Sequence, residues 1–220
     1  MIDTHTHTTY SHDGKGKMTA MIEKAIKLGL EYYAITDHLD KDYLYCIPRY
    51  KLIRQLDDKK QFEAMLECRA KYEGKIKLGL GIEVGYAAKA VPDIQKVLSR
   101  HEYDYIINSI HSVNGADAYF SGYFNGKTRD EAYRPYFENV LESLDAPYRY
   151  ETIAHIGYVI QHYEEWRFAF VVSSLDNIFH AVELHGRKES NDPLVVTVGK
   201  LIEFFHRYAL DGCLPCFTRL

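Results

Sequence analysis

A histidine or glutamate stands in or directly after each of five short, β-rich segments, and this regularity constrains the fold more than any other feature. The side chains concerned are His5 with His7, His38, Glu83, His111 and His155. Helix-period segments separate the β-rich runs, which predicts parallel strands joined by helical crossovers. The carboxyl ends of the strands in a parallel β/α barrel open on one face, where active sites are built. We therefore expect these side chains to meet at one mouth of a barrel.

The predicted elements alternate regularly over the first 160 residues of the chain. Strands are predicted from Ile2 onward and at 32–36, 75–84, 105–110 and 151–154, and helices at 19–29, 50–72, 92–98 and 128–144. Thr128 and Glu131 form a capping-box pattern that opens the last of these helices. Beyond residue 160 the pattern loosens, with a strand expected at 181–185, a helix at 194–208 and a short last strand at 214–217. We expect one domain of residues 1–220, with 160–220 divergent.

Composition excludes several function classes. A formal charge of −4 gives no basic field of the kind that binds nucleic acid. No apolar run approaches the roughly 18 residues of a membrane span. A histidine motif occupies the first residues in place of a signal peptide, so we expect a cytoplasmic protein with no membrane or nucleic-acid partner. Of the four cysteines, Cys213 and Cys216 have the spacing of a zinc half-site, but without a second half-site we expect ordinary thiols.

The first histidine pair predicts a metal site. Side chains two residues apart on a strand point to the same face, so His5 and His7 can grip one ion together. Neutral imidazole is the commonest protein ligand for zinc and related divalent metals. His12 lies in Ser11-His12-Asp13-Gly14, which is either a further ligand segment or a plain turn.

Six short motifs follow one another in a fixed order over residues 2–160. They are D-x-H-x-H at 3–7, S-x-D-G at 11–14, I-T-D-H at 35–38, G-x-E at 81–83, I-H-S at 110–112 and A-H-x-G at 154–157. In this order they resemble the polymerase-and-histidinol-phosphatase (PHP) family of metal-dependent phosphoesterases. The segment 117–133 resembles the histidinol-phosphate phosphatase branch of that family. The resemblance implies an α/β fold, a distorted (β/α)7 TIM-like barrel, with the last strand and terminal motif truncated or degenerate.

The resemblance also implies a cluster of divalent cations in two or three sites. Its implied ligands are His5 and His7 for the first site, His111 and His155 for the second, His12 and His38 for the third, and Glu83 as a bridge between the first two. Zinc, manganese and iron all suit such a site. Two cations that share a hydroxide lower its pKa for attack on a phosphate, and we expect Glu83, His111 and His155 to carry this catalysis. Asp3 and Asp37 are expected to accept hydrogen bonds that orient histidines.

Phosphate recognition is expected from two residues. Arg187 matches an arginine position of the branch and is either a phosphate clamp or a solvated loop charge. His38 is expected to contact the substrate as well as a metal. Gln161 stands where the branch commonly carries a second arginine, and His185 ends a predicted strand on the side of the site.

The expected function is hydrolysis of a phosphate monoester, with L-histidinol phosphate of histidine biosynthesis as the leading substrate. The family's terminal Ser-Asp-x-His has no counterpart before Leu220, so the first and third sites would each lack a protein ligand. Fewer than three tightly bound metals and low activity are the expected result. Two alternatives stay open: a PHP phosphoesterase with another small phosphorylated substrate, and a catalytically impaired metal-binding remnant.

Overall fold

A computed structural model describes residues 1–160 of the chain. The expectations for Gln161, His185, Arg187, both cysteines of the 213–216 pair and the elements after residue 160 lie outside the described residues, as does the absent terminal motif. The described chain divides into two compact units. The first comprises 1–117 and 145–155, and the second contains 118–144 and 156–160. The expectation of a single domain stays a prediction.

The first unit is built on parallel strands that alternate with helices. In chain order its elements are β1 (Ile2–Asp3), α1 (Met18–Lys27), β2 (Tyr32–Leu39), α2 (Asp58–Lys71), β3 (Lys77–Gly85), α3 (Val91–Leu98), β4 (Tyr105–Ser109), the antiparallel pair β5 (Ser112–Val113) and β6 (Ala116–Asp117), and finally β7 (Thr152–Ile153). Five strands form one sheet in the order β1-β2-β3-β4-β7. Every neighbouring pair in this sheet is parallel. The predicted alternation of strands and crossover helices is therefore present.

The register of the two longest strands positions the chemistry. His38 of β2 lies directly opposite Glu83 of β3. Eight of the nine residues of β3 are buried, as expected for the central strand of a covered parallel sheet. Each crossover helix packs an apolar side chain onto this sheet: Ile22, Met65 and Ile94 are fully buried in one core cluster. Burial of side chains of this size contributes roughly 1.5–3 kcal/mol each, which holds the strand ends in place.

Two predicted elements differ from the structure. The helix predicted over 50–72 is a short 3-10 helix at Tyr50–Leu52 followed by α2 at Asp58–Lys71. The Asp57 carboxylate accepts a hydrogen bond from the Lys60 N–H, so it caps a new helix within the run that hydrophobic periodicity joined. The first strand ends at Asp3, earlier than predicted. Beyond it, the Thr36 hydroxyl accepts the Thr6 N–H at 3.0 Å, and the Thr6 carbonyl accepts the Thr36 N–H at 2.9 Å.

The second unit contains α4 (Arg129–Ser143), and its predicted capping box is confirmed. The Thr128 hydroxyl accepts the Glu131 N–H at 3.3 Å, and the Glu131 carboxylate accepts the Thr128 N–H at 2.8 Å. We expect Thr128→Ala to lower the free energy of unfolding by about 1 kcal/mol, the usual cost of losing such a cap. Urea denaturation measures this loss. An unchanged unfolding midpoint would show that the box contributes nothing to stability.

Candidate metal centre

Glu83 is the centre of a cluster of histidines at the carboxyl end of the sheet. Its side chain is fully buried, and both carboxylate oxygens face imidazole nitrogens. Oε2 lies 3.1 Å from Nε2 of His5 and 2.9 Å from Nε2 of His7. Oε1 lies 2.8 Å from Nε2 of His155 and 3.3 Å from Nε2 of His111. One carboxylate therefore joins two pairs of nitrogen ligands.

A second group of side chains adjoins Glu83 on the side of β2. Nδ1 of His38 lies 3.4 Å from Oε2 of Glu83 and 3.4 Å from Oδ2 of Asp40. Nε2 of the same ring lies 3.5 Å from Oδ2 of Asp13. The His12 ring stands 4.9 Å from the His38 ring, centroid to centroid, with its Nδ1 3.5 Å from Asp40. His12 and His38, which the family resemblance assigned to one site, are thus neighbours.

The strand ends explain why residues so distant in sequence meet. His38 and Glu83 are partners in the β2–β3 register, and His111 follows β4 by two residues. His155 comes two residues after β7, with a backbone φ of +27°. A positive φ is uncommon for a residue other than glycine and costs on the order of 1–3 kcal/mol. This conformation accompanies the contact of the His155 ring with Glu83.

Sequence reasoning missed Asp40 and Asp13 as parts of the cluster. Asp40 is buried, and its Oδ1 lies 2.7 Å from Nδ1 of His111. It stands two residues after His38, so the same-face rule applied to His5 and His7 could have found it. The Asp13 carboxylate lies 3.1 Å from Nδ1 of His7. The Ser-x-Asp-Gly motif that contains Asp13 predicted no role for this carboxylate.

The expected hydrogen-bonding roles of Asp3 and Asp37 differ from what the structure shows. Asp37 accepts the Thr8 N–H at 2.5 Å, the Thr8 hydroxyl at 2.8 Å and the Gln61 amide at 2.9 Å. Asp3 accepts the backbone N–H of His5 rather than its ring. Neither carboxylate orients an imidazole, because both face backbone or neutral side-chain donors. Asp37 instead fixes the backbone directly after His7.

The charges of the cluster shift the pKa values of its members. Burial lowers the pKa of His7, but the hydrogen bond to Asp13 and the adjacent negative charge of Glu83 outweigh this and raise it to about 9. His111 is raised to about 10, because Asp40 and Glu83 outweigh its burial. Burial opposes ionisation of Glu83, yet the charges of His38 and His111 hold its pKa well below the usual range.

The pKa values of two histidines are shifted downward instead. Burial lowers the pKa of His155 below the ordinary value despite its contact with Glu83. Burial also lowers the pKa of His12, with Asp40 as the main opposing charge. As the pH rises, these two rings therefore lose their protons before the imidazoles whose pKa values are raised. Neutral imidazole is the form that binds metal.

The donor atoms fit divalent cations. His7 Nε2 and Glu83 Oε2 are 2.9 Å apart, yet neither has a hydrogen-bond partner, and the same lack applies to buried His38 Nδ1 and Asp40 Oδ2. Once the imidazoles are neutral, donor atoms that approach so closely suit a shared cation. Within residues 1–160, four groups of three side chains place their donor atoms within 4.8 Å of one another: His5-Glu83-His155, His7-His38-Glu83, His12-Asp13-His38 and His38-Asp40-His111. Imidazole and carboxylate together suit zinc, manganese or iron.

Gly14 controls the loop that carries Asp13. A Cβ atom at residue 14 would lie 1.8 Å from the Thr8 carbonyl oxygen, so any other side chain forces the backbone to move. We expect Gly14→Ala to weaken binding of at least one divalent cation by about 10-fold or more, the scale of a displaced ligand support. Isothermal titration calorimetry with the metal-stripped protein measures this affinity. Lys15→Ala, an exposed neighbour, should bind as the wild type does; equal affinities in all three proteins would contradict the expectation.

Parallel strands that deliver histidine and carboxylate ligands to one end define a class of metal-centre α/β-barrel proteins. The family model for the PHP domain matches residues 3–185, so the chain belongs to the PHP domain family. The family predicted from the motif order is confirmed, and so is the distorted TIM-like barrel fold. Among helices of the described residues, none combines the length and the apolar character needed to cross a membrane.

Curated relatives carry the name that the branch resemblance predicted. The chain is 28% identical over 159 residues to a protein of Clostridium acetobutylicum named probable histidinol-phosphatase, covering 72% of this chain and 58% of the relative. It is 24% identical over 167 residues to the histidinol-phosphatase of Lactococcus lactis, covering 73% of this chain and 58% of that protein. The chain thus spans less than two thirds of the length of these relatives.

Two solved structures are similar in fold. The Lactococcus lactis histidinol phosphate phosphatase, crystallised with zinc, L-histidinol and phosphate, has a TM-score of 0.68 at 25% identity, over 82% of this chain and 68% of that one. A putative histidinol phosphatase from Listeria monocytogenes has a TM-score of 0.67 at 20% identity and covers 92% of both chains. The second likeness concerns the fold alone.

Proposed function

We propose that this chain is a metal-dependent phosphate-monoester hydrolase that converts L-histidinol phosphate and water to L-histidinol and phosphate. The observation that carries the proposal is the buried Glu83 carboxylate, with three imidazoles at Oε2 and two at Oε1. The curated relatives named histidinol-phosphatase support this substrate. The Lactococcus neighbour, solved with zinc, L-histidinol and phosphate, supports both substrate and metal. A cytoplasmic location fits this biosynthetic role.

Two or three divalent cations (zinc, manganese or iron) would occupy the cluster. The proposed ligands are His5, His7 and Glu83 for the first site, Glu83, His111 and His155 for the second, and His12, Asp13 and His38 for the third, with Asp40 beside the third. When bound, such cations neutralise charge on the phosphoryl oxygens and lower the pKa of an attacking water. Arg187 remains our proposed phosphate clamp.

The carboxylates around the cluster orient its imidazoles. Asp40 lies 2.7 Å from Nδ1 of His111 and would accept a proton from it, so that Nε2 is the ring nitrogen directed toward Glu83. Asp13 faces Nδ1 of His7 in the same way and leaves Nε2 toward the other oxygen of Glu83. A hydrogen bond at one ring nitrogen fixes the tautomer and makes the other nitrogen a better ligand. These pairs therefore prepare both rings before any substrate binds.

The proposed site is shaped so that one face receives the substrate. Glu83 and His111 are almost completely buried, whereas the His5 side chain is 38% exposed. The buried members exclude water from the carboxylate that the first and second sites share. The exposed edge, with His38 beside it, is where a phosphate ester would approach.

Phosphate release tests the proposed function. The metal-stripped chain is reloaded with zinc or manganese and assayed with L-histidinol phosphate, phosphoserine and p-nitrophenyl phosphate. We expect kcat/KM for L-histidinol phosphate to exceed the others at least about 10-fold, the scale of one well-used recognition contact. Equal, slow turnover of all three would favour another phosphorylated substrate. Bound metal without any turnover would contradict hydrolysis and identify a metal-binding remnant.

A further inference from the structure

One arginine outside the cluster holds three consecutive backbone carbonyls of the loop between the first histidines. Arg54 follows the 3-10 helix at Tyr50–Leu52. Its Nη1 donates to the Tyr10 carbonyl at 2.9 Å, and its Nη2 donates to the Thr9 carbonyl at 3.0 Å and to the Ser11 carbonyl. We call residues 8–14 the ligand loop. The guanidinium thus contacts the ligand loop through its backbone alone.

The ligand loop is anchored on its other side by the sheet. Asp37 accepts the Thr8 N–H, and the Ser11 hydroxyl accepts the His38 N–H at 3.0 Å. The Thr9 N–H donates to the Gly16 carbonyl at 2.9 Å and closes the loop. These contacts fix the two ends and one face of the loop. The carbonyls of residues 9–11 face Arg54.

Three carbonyl oxygens that converge on one point repel one another unless a cation lies between them. Arginine suits this position because its guanidinium carries a permanent charge and five donors in a rigid plane. Without it the carbonyls would turn toward water, and the backbone that leads into His12 and Asp13 would turn with them. His12 and Asp13 are the next two residues after Ser11, so a small backbone rotation at Ser11 displaces their side chains from His38.

We propose that Arg54 is a positioning residue for the third metal site. It holds His12 and Asp13 beside His38 by fixing the carbonyls of the ligand loop, and it touches neither the cation nor the substrate. This inference rests on the proposed metal-dependent function. Partners that orient metal ligands without binding the metal typically change metal affinity 10- to 100-fold, so a loss of about that size is expected on removal of the guanidinium.

The test compares metal binding by four metal-stripped proteins. Wild type, Arg54→Ala, Arg54→Lys and Arg69→Ala are titrated with Co²⁺, with bound metal counted by elemental analysis and ligand geometry followed by visible absorption. Arg69 is a matched control because it also donates to a backbone carbonyl, that of Leu78, at the opposite end of β3. Titrations of Arg54→Ala are repeated with a few millimolar guanidinium chloride, which can refill the space that the side chain leaves.

We expect Arg54→Ala to bind one Co²⁺ at least about 10-fold more weakly than the wild type while its other sites keep their affinity. Guanidinium should restore much of this affinity. Arg54→Lys should recover part of it, since the charge remains but the planar fork does not. Arg69→Ala should keep the full stoichiometry, whatever its thermal stability. If Arg54→Ala does not fold, the weakened site of Arg54→Lys carries the same test.

One set of results would contradict the positioning role of Arg54, and another would contradict the proposed metal-dependent function. Identical titrations for the wild type and both Arg54 variants would overturn the positioning role while leaving the proposed function intact. An equal loss in Arg69→Ala, or no response to guanidinium, would show a general loss of stability and also overturn it. A wild-type protein that binds no Co²⁺ would refute the metal-dependent function, and the inference with it.

Discussion

Replacing Glu83 by glutamine is expected to lower kcat/KM for phosphate release by about 10³-fold or more, the scale seen when a central electrostatic group is removed. A glutamine side chain offers one oxygen and an amide NH2 group, which cannot bind a cation. The imidazoles that now face one of the two carboxylate oxygens would face this amide instead. Metal content measured by elemental analysis should fall together with activity.

An exposed glutamate provides the control for this substitution. Glu73→Gln changes the same functional groups at the surface beyond α2 and should leave both activity and metal content unchanged. Far-ultraviolet circular dichroism checks that both variants are folded. Full metal loading in Glu83→Gln would contradict the role of Glu83 as the shared ligand, and retained turnover would contradict catalysis at this cluster.

Metal affinity is expected to rise steeply with pH. In the metal-free protein the pKa of His7 is about 9 and that of His111 about 10, so both rings carry protons at pH 7. A divalent cation binds only the neutral ring, hence each bound ring must release its proton. Because His7 belongs to the first site and His111 to the second, each cation displaces one of these protons, and each affinity should rise roughly 10-fold per pH unit, or about 10²-fold between pH 6 and pH 8. Calorimetry in two buffers of different ionisation enthalpy counts these protons.

The stability of the metal-free protein should follow the opposite trend. Both histidines have pKa values raised above the ordinary value of 6.5, so their ion pairs stabilise the fold fully below that pH. This stabilisation is lost as the pH rises toward 9 and 10. The melting temperature without metal should therefore fall between pH 7 and pH 10.

A substitution at Asp40 tests the predicted proton release on metal binding. It is the foremost charge that raises the pKa of His111, so Asp40→Asn should reduce the number of protons released on metal binding. An affinity of the wild-type protein that stays constant from pH 6 to pH 8 would show that the histidines are already neutral, contrary to the expectation.

Much of the fold was predictable because its strands carry local signals. The apolar runs at β2 and β4 and the glycine-rich β3 are visible in sequence, and the histidines and the glutamate at their ends revealed one common face. The parallel register that sets His38 opposite Glu83 could not be predicted, because it depends on pairing between segments 45 residues apart. The break before α2 was missed because one side-chain cap at Asp57 outweighs a continuous hydrophobic period.

The acidic members of the cluster show a different limit. Asp40 and Asp13 are single carboxylates in loops or at strand ends, where most aspartates only cap or turn the chain. Only their contacts with His111, His7 and His38 distinguish them from such residues. The motifs predict histidine ligands and give no indication that these two carboxylates contact them.

At His155, the positive backbone φ opposes stability, whereas the side chain supplies a nitrogen to the proposed metal cluster. Glycine adopts a φ of +27° more easily than histidine does, so a variant with glycine there would gain local backbone stability while removing a nitrogen from beside Glu83. Selection of random variants for survival at high temperature alone would therefore tend to discard this histidine. The same residue therefore combines an unfavourable backbone conformation with a ring nitrogen 2.8 Å from Glu83.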